Sequence, residues 1–173
     1  MLILVRPNVK YQKQYIEMMK EWELSGEKIV PSSIREADYN NFEEMVRDFE
    51  EEEKGINLKF NRVPSTTLWG YDEEIDKIVG AVNIRHKLNE ELIKNVGHIG
   101  DGVRPSQRRK GYATEMVRLA LEECKKLGIK RVLMVCNSDN IGSKKSIQKN
   151  GGILENEIPA KEGKIDQRYW IEN

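Results

Sequence analysis

The segment from Val96 to Leu127 constrains the fold more than any other part of the chain. Its first part, Val96–Val103, is predicted to be a strand, but three glycines leave much of it without side chains, which favours a close approach of other groups to its backbone. A basic loop follows Pro105. Apolar residues then recur at helical spacing up to Leu127, and Gly128 is a typical C-cap. A strand, a loop and a long helix are therefore predicted in succession.

The flanking sequence predicts further strands and helices. Two amphipathic helices follow a short first strand, Met1–Val5, and precede a hairpin of Thr66–Tyr71 and Lys77–Arg85. After the long helix the pattern predicts a strand, Arg131–Cys136, a helix that begins at Asn140 or Ser143 and ends at Asn150, and a hairpin of Ile153–Pro159 and Ile165–Ile171. With 173 residues, we expect one domain, 1–173, with a mixed α/β or α+β sheet.

Charge and the remaining composition restrict the classes of binding partner that we expect. The 29 basic residues balance 29 acidic ones, so no overall positive field favours nucleic acid or an anionic membrane. The apolar run Met1–Val5 is too short for a signal peptide or a membrane span. We therefore expect a cytoplasmic protein without a nucleic-acid or membrane partner. Cys124 and Cys136 lack a metal-type spacing, and we expect reduced thiols and no metal site.

The end of the glycine-rich strand and the start of the long helix, Gly102–Thr114, predict an anion site. Free backbone N–H groups at a helix N-terminus and the helix dipole both attract negative charge. Gly111 and Ala113 allow phosphate oxygens to come close. Neither the P-loop pattern nor the dinucleotide-binding glycine pattern occurs in the chain, which argues against nucleotide hydrolysis and dinucleotide binding.

The six residues Arg108–Ala113 resemble the pyrophosphate loop of the GNAT superfamily of acyl-CoA-dependent N-acyltransferases, Gln/Arg-x-x-Gly-x-Gly/Ala. Val103-x-Pro105 is similar to that family's strand exit, and Asn140-x-x-Ser143 and Lys149-x-Gly151 have the family's spacing. The resemblance is carried by Val96–Gly152. It implies a GNAT-like α/β (α+β) fold with a mixed, mostly antiparallel sheet of six to seven strands flanked by about four helices.

The resemblance also implies acetyl-CoA as co-substrate and a place for each part of it. The pantetheine arm would lie beside Gly102, Val103 and Arg104, the pyrophosphate over Arg109–Thr114, and Asn140 would contact the pantetheine end. The strand glycines would then make room for the cofactor arm, the other interpretation being a β-bulge. The implied cofactor-binding residues are Gly102, Val103, Arg104, Arg108, Arg109, Lys110, Gly111, Tyr112, Ala113, Thr114 and Asn140.

Direct attack by an amine requires a group that takes its proton. Asp101 is the one carboxylate on the glycine-rich strand and is the preferred candidate, with His98 second. The family's usual general acid, a Tyr, is replaced here by Ile147, and Ser143 is a weak substitute donor. The candidate catalytic residues are therefore Asp101, His98 and Ser143, while acids of the first two helices stay open as bases: Glu21, Glu23 and Glu36.

The function expected from the resemblance is an N-acetyltransferase that moves an acetyl group from acetyl-CoA to a primary amine by direct attack in a ternary complex. The acceptor, a small molecule or a protein N-terminus, is not identified by the sequence, and a homodimer is possible by family analogy. A non-catalytic acyl-CoA-binding or sensing module is the alternative, and an RNA-associated protein using Arg108–Lys110 is a third. The acceptor pocket is expected at the first two helices and the terminal hairpin, with Trp22, Glu23, Glu27, Tyr39, Tyr169 and Trp170.

Overall fold

Seven strands and six α-helices follow one another along the chain in a computed structural model that describes all residues from Met1 to Asn173. In chain order they are β1 (Leu2–Val5), α1 (Gln12–Ser25), α2 (Ser32–Arg35), α3 (Phe42–Lys54), β2 (Ser65–Asp72), β3 (Lys77–Arg85), α4 (Glu90–Asn95), β4 (Ile99–Val103), α5 (Tyr112–Lys126), β5 (Arg131–Asn137), α6 (Ile141–Lys149), β6 (Ile153–Pro159) and β7 (Ile165–Glu172).

The strands form two antiparallel sheets, one in the order β1-β2-β3-β4 and one in the order β5-β7-β6. They meet just before β4, where the backbone N–H of His98 donates to the Leu133 carbonyl over 2.7 Å and Gly97 forms an isolated bridge with Met134. No further ladder joins β4 to β5. The predicted mostly antiparallel arrangement of six to seven strands is confirmed, and the two sheets separate beyond His98.

Helices cover both faces of the sheets. On one face α1, α2 and α3 bury a cluster that includes Tyr15, Trp22 and Trp69, with the rings of Tyr15 and Trp69 centred 4.4 Å apart. On the other face α5 buries its apolar side, including Met116, against β3, β4 and β1 and beside α6. The glycine-rich strand β4 is therefore at the sheet edge, between the helix layers and next to the gap between the sheets.

Two short helices, α2 and α4, are additional to the four that the sequence predicts. The six residues of α4 bury no side chain, so no apolar periodicity indicates the helix. Its start is fixed by the Asn89 side chain, which accepts from the backbone N–H of Leu92 over 2.9 Å. The turn that ends the helix includes Gly97, whose N–H donates to the Leu92 carbonyl over 2.7 Å. For this reason β4 begins at Ile99 rather than at the predicted Val96.

Both cysteines are free thiols, as the sequence predicts, and the structure shows both of them buried. Burial raises the pKa of the Cys124 thiol to about 12. Burial also raises the pKa of Cys136, partly opposed by a hydrogen bond with Ser143. Neither thiol therefore has the lowered pKa of a reactive cysteine. The structure holds no group of three or more side chains that could bind a metal ion, and no helix is long and apolar enough to cross a bilayer.

Candidate active site

A cleft of about 740 Å³, here called the α5 cleft, lies beside the end of β4 and the N-terminus of α5. Its walls come from the end of β4, the loop before α5, the starts of α5 and α6, and the loop after α1. Most of the residues singled out in the sequence line this cleft: Asp101, Gly102, Val103, Arg108, Arg109, Gly111, Tyr112, Ala113, Thr114, Asn140 and Ser143.

The N-terminus of α5 supplies free backbone donors to the cleft. Gly111 is the N-cap, with φ +87°, and it has no side chain to accept from the helix. Glu115 is the first residue whose N–H bonds back within this turn, to the Gly111 carbonyl over 3.1 Å. The N–H groups of Tyr112, Ala113 and Thr114 are therefore left for a ligand, at the positive end of a 15-residue helix. This geometry suits a phosphate.

The cleft also has an excess of positive charge. Five cationic side chains line it, whereas Asp101 and Glu27 are the two carboxylates. Arg108 is held across the opening by an ion pair with Glu27, and its Nε donates to the Val103 carbonyl over 3.1 Å. The other cations are Lys28, Arg109, Lys145 and Lys149. A ligand with several phosphate charges would be attracted to this surface.

The edge of β4 offers backbone groups to the same cleft, of which the Val103 carbonyl already accepts from Arg108 Nε. In the ladder with β3, Arg104 donates its N–H to the Val79 carbonyl over 2.9 Å, and Val103 and Asp101 lie opposite Gly80 and Val82. Because alternate residues of an antiparallel strand bond to one neighbour, the N–H and C=O groups of Asp101 and Val103 point away from β3. An extended ligand could therefore bond along β4 as an added strand.

Asp101 has the environment of a general base. Its carboxylate is half-buried, lines the cleft and has no hydrogen-bond partner among the side chains or backbone. Burial raises its pKa from 3.8 to about 6. A carboxylate with this pKa is ionised at neutral pH and is a better proton acceptor than an exposed aspartate.

The other candidate bases are engaged elsewhere. His98 is 8 % exposed, does not line the cleft, and its Nδ1 accepts from the Leu133 N–H over 2.9 Å. Burial, with Arg85 nearby, lowers its pKa to about 4. His98 therefore lies at the junction of the two sheets and not in the cleft. Glu23 accepts from the hydroxyl of Tyr39 over 2.8 Å, and two further acids, Glu21 and Glu36, form ion pairs.

Two expected cofactor residues, Arg104 and Lys110, have side chains outside the cleft lining. The Arg104 side chain is 3 % exposed and bonds to Glu21 through Nε over 2.7 Å. Burial alone would raise the pKa of Glu21, but hydrogen bonds from Arg104 and Ser106 leave it below the usual value. The Arg104 charge is thus neutralised inside the protein, because its side chain turns toward α1. Lys110 donates to Gln107 Oε1 over 2.9 Å.

The structure gives a different reason for a glycine in β4 from the one that the resemblance implies. A Cβ atom on Gly102 would lie 2.2 Å from the Val30 carbonyl oxygen, and one on Gly100 would lie 3.5 Å from Pro31 Cβ. At Gly102 the neighbour that requires a bare backbone is therefore the loop after α1, Gly26–Pro31, whereas a Cβ on Gly100 would make only ordinary contact and one on Gly97 would lie 2.4 Å from the Leu133 carbonyl oxygen. For Gly102 the interpretation that the strand glycines make room for the cofactor arm is corrected accordingly, since this loop already occupies the space, and for Gly100 it stays a prediction.

Sequence reasoning missed several residues that line the cleft. Lys145, Ser146 and Lys149 lie on the side of α6 that faces it, and Ser146 Oγ is buried without a hydrogen-bond partner. The spacing of Lys145 and Lys149, four residues apart on one helix, could have indicated a common face. Of the expected acceptor residues, Trp22 and Glu27 line the α5 cleft, whereas Tyr169 is buried in the core.

Known proteins resemble the chain in fold and, over most of its length, in sequence pattern. A search of the curated proteins finds no match. The microcin C7 self immunity acetyltransferase MccE, solved in complex with acetyl-CoA and AMP, matches at TM-score 0.68 and 16% identity, over 99% of this chain and 92% of that chain. RimL, a ribosomal L7/L12 alpha-N-protein acetyltransferase solved in complex with coenzyme A, matches at TM-score 0.70 and 13% identity, over 99% of this chain and 93% of that chain.

An acetyltransferase from Salmonella typhimurium that modifies the N-terminal serine of 50S ribosomal subunit protein L7/L12 matches at TM-score 0.67 and 12% identity, over 99% of this chain and 95% of that chain. At these identities the likeness establishes the fold. The family model described as the acetyltransferase (GNAT) domain matches residues 2–153. With most of its length matched by that model, the chain belongs to the GNAT acetyltransferases.

Proposed function

We propose that this protein transfers an acetyl group from acetyl-CoA to a primary amine, by direct attack of the amine in a ternary complex, with Asp101 as the general base. The observation that carries the proposal is the α5 cleft, where free helix N–H groups, the edge strand β4 and an excess of cations meet beside Asp101. MccE and RimL, which share the fold, have been captured with acetyl-CoA and coenzyme A.

The residues present fit acetyl-CoA as a co-substrate. The N–H groups of Tyr112, Ala113 and Thr114 would bind the pyrophosphate, and the cations of the cleft would neutralise the remaining phosphate charge. The free edge of β4 at Asp101–Val103 would hold the amides of the pantetheine arm. Asn140 lines the same cleft, and its Oδ1 accepts from the Ser143 N–H over 3.1 Å, which fixes the start of α6.

Acetyl-CoA supplies the acetyl group as a thioester. The amine nitrogen forms the new C–N bond, the C–S bond breaks, and coenzyme A leaves as a thiol. The amine attacks in its neutral form, and as the C–N bond forms its nitrogen gives one proton to the Asp101 carboxylate. Ser143, which lines the cleft, would donate a proton to the departing sulfur and regain one from the protonated Asp101 through solvent, so that the nitrogen's proton ends on the thiol. A thiol with a pKa near 8.5 needs little help to leave.

The test begins with calorimetric titration of acetyl-CoA into the wild type, Gly111→Asp and Gly111→Asn. Both substitutions have the same size, and both residue types tolerate the positive φ of Gly111 better than other side chains do. Only the aspartate places a negative charge at the phosphate site. We expect Gly111→Asp to weaken binding far more than Gly111→Asn does.

Release of coenzyme A is then measured against a library of primary amines. Turnover with at least one amine, lost in Asp101→Asn while acetyl-CoA binding remains, supports the proposed reaction. Tight acetyl-CoA binding without turnover of any amine would support the acyl-CoA-binding module instead. Equal binding by all three proteins would contradict the assignment of the α5 N-terminus to the phosphates.

A further inference from the structure

A second cavity, of about 420 Å³, lies on the other face of the first sheet and shares no lining residue with the α5 cleft. Its walls are α2, α3 and the chain between α3 and β2, and its floor includes Asn83 and Arg85 of β3. We call it the Arg85 cavity. Its volume lies in the range of pockets for small organic ligands.

Arg85 is a buried cation without an anion. Its residue is 8 % exposed, it forms no ion pair, and its one hydrogen bond runs from Nη1 to the Gly97 carbonyl over 3.2 Å. Burial, together with the like charge of Arg62, lowers the pKa of Arg85 to about 10. A guanidinium carries five N–H donors, and no side chain or backbone group accepts from Nε or Nη2 of Arg85. These donors face a cavity that can admit a partner.

Two other polar side chains of the same cavity, Ser33 and Asn83, keep an atom available to a ligand. Ser33 Oγ is buried without a hydrogen bond. Asn83 is 4 % exposed, and its Nδ2 donates to the hydroxyls of Ser65 and Thr67, each over 3.0 Å. Both amide hydrogens of Asn83 are thereby used, so Oδ1 is its remaining polar atom. Ser33 Oγ and Asn83 Oδ1 are therefore, besides Arg85, two polar groups that a ligand in this cavity could bond.

We infer that the Arg85 cavity is the acceptor pocket and that the acceptor is a small amine which also carries a carboxylate, bound by the Arg85 guanidinium. The inference rests on the proposed function. A carboxylate matches the guanidinium because two parallel N–H···O bonds can form between them. Five carboxylates at the other walls favour a ligand that also carries an ammonium group: Glu36, Asp38, Asp48, Glu51 and Glu52.

The position of Arg85 suits an acceptor. Its two terminal nitrogens lie 3.6 and 3.7 Å from where a Cβ of Gly100 would be, and Gly100 precedes Asp101 in β4. Ala81, further along β3, is fully buried and lies opposite Gly102, which Val30 covers, so a ligand cannot follow β3 beyond Asn83. Gly100 has no side chain, and a ligand held by its carboxylate at Arg85 can instead extend its amine across the edge strand β4 at Gly100 toward Asp101, which lines the α5 cleft.

The test compares α-amino acids with their α-carboxamides, which keep the shape and the amine but lose the negative charge. Saturation-transfer NMR on the coenzyme A-loaded protein is recorded with a pool of the standard amino acids and with the matching pool of amides. We expect at least one acid to bind, and to bind at least about tenfold more tightly than its amide. The amide's amine has the lower pKa, so faster acetylation of the acid cannot come from a more reactive amine.

Arg85→Met should remove the preference for the acid and raise KM much more than it lowers kcat, because Arg85 binds a part of the acceptor away from the reacting atoms. Arg85→Lys keeps the positive charge but not the two parallel donors. Its preference for the acid over the amide should lie between that of the wild type and that of Arg85→Met. Arg62→Met is the matched control: it removes a second arginine that lines the same cavity but is ion-paired with Glu36, and it should keep the preference.

Unaltered acetyl-CoA affinity shows that each variant is folded. If no amino acid binds the wild type, if acids and amides bind alike, or if Arg85→Met keeps the preference, the inference is wrong. An acid that binds without being acetylated would also contradict the assignment of the cavity to the acceptor. Failure of the wild type to bind acetyl-CoA would instead contradict the proposed function, so the two failures are distinguishable.

Discussion

Replacing Asp101 by asparagine should make the protein more stable at neutral pH and remove most of its activity. Burial raises the pKa of this carboxyl from 3.8 to about 6, and no hydrogen bond or cation offsets that burial. The difference corresponds to up to about 3 kcal/mol of unfolding free energy. Asparagine has nearly the same shape and no charge, so the variant avoids this penalty.

The sign of the pH dependence follows from linkage. Below pH 3.8 the carboxyl is protonated in both the folded and the unfolded state, and it contributes no difference. As pH rises toward 6, the unfolded state ionises first, so the wild type loses stability. Above about 6 the loss is complete. The stability advantage of Asp101→Asn should therefore be absent near pH 3.8 and reach its full value by about pH 7.

Urea denaturation of both proteins near pH 4 and at pH 7.5 measures the advantage, and coenzyme A release measures kcat, which should fall by about 10² to 10⁴. In the wild type, kcat should rise with pH through about 6. Asp139→Asn, at an exposed aspartate between β5 and α6, is the control and should change neither quantity. If the stability advantage of Asp101→Asn over the wild type is no larger at pH 7.5 than at pH 4, the burial argument is refuted. If the variant keeps its kcat, the role of Asp101 as the base is refuted.

Three further substitutions test other parts of the structure. Gly102→Ala should lower the unfolding free energy by about 1–3 kcal/mol in urea, because its Cβ would meet a backbone oxygen at 2.2 Å. Arg104→Met should also destabilise, by about 2 kcal/mol or more, through loss of a buried charge pair, yet calorimetry should show acetyl-CoA affinity changed less than about threefold. Lys145→Ala combined with Lys149→Ala should weaken coenzyme A binding and reduce its dependence on salt, measured by titration at two ionic strengths.

Elements with a clear apolar period are the part of the fold that the sequence predicts. Helix α5 shows the apolar positions that pack on β3 and β4, and β2 and β3 lie at the predicted hairpin. Helix α4 buries no side chain and α2 buries only Ile34, so neither leaves a periodic signal in four to six residues. The division into two sheets depends on contacts between residues 97–98 and 133–134, which no local pattern reveals.

The candidate site divides in the same way. The anion site at α5 is local, since one segment supplies both its N-cap glycine and its backbone donors, and the sequence predicts it. The direction of Arg104 depends on Glu21, 83 residues away, and charge counting along the loop could not show that the two would pair. The Arg85 cavity is formed by α2, α3, β3 and the chain that precedes β2. Because these segments are distant in sequence, its unpaired cation becomes visible only in the folded protein.

The loop after α1 has a consequence for the energetics of ligand binding. Val30 lines the α5 cleft, and Ser32 and Ser33, immediately beyond the loop, line the Arg85 cavity. One short stretch of backbone is thus a wall of both, pressed against Gly102 from one side. A ligand that repositions this stretch changes the affinity of the other cavity, and thermodynamic reciprocity requires the same factor in both directions. The dissociation constant of each substrate should then depend on whether the other is bound, with this loop as the shared element.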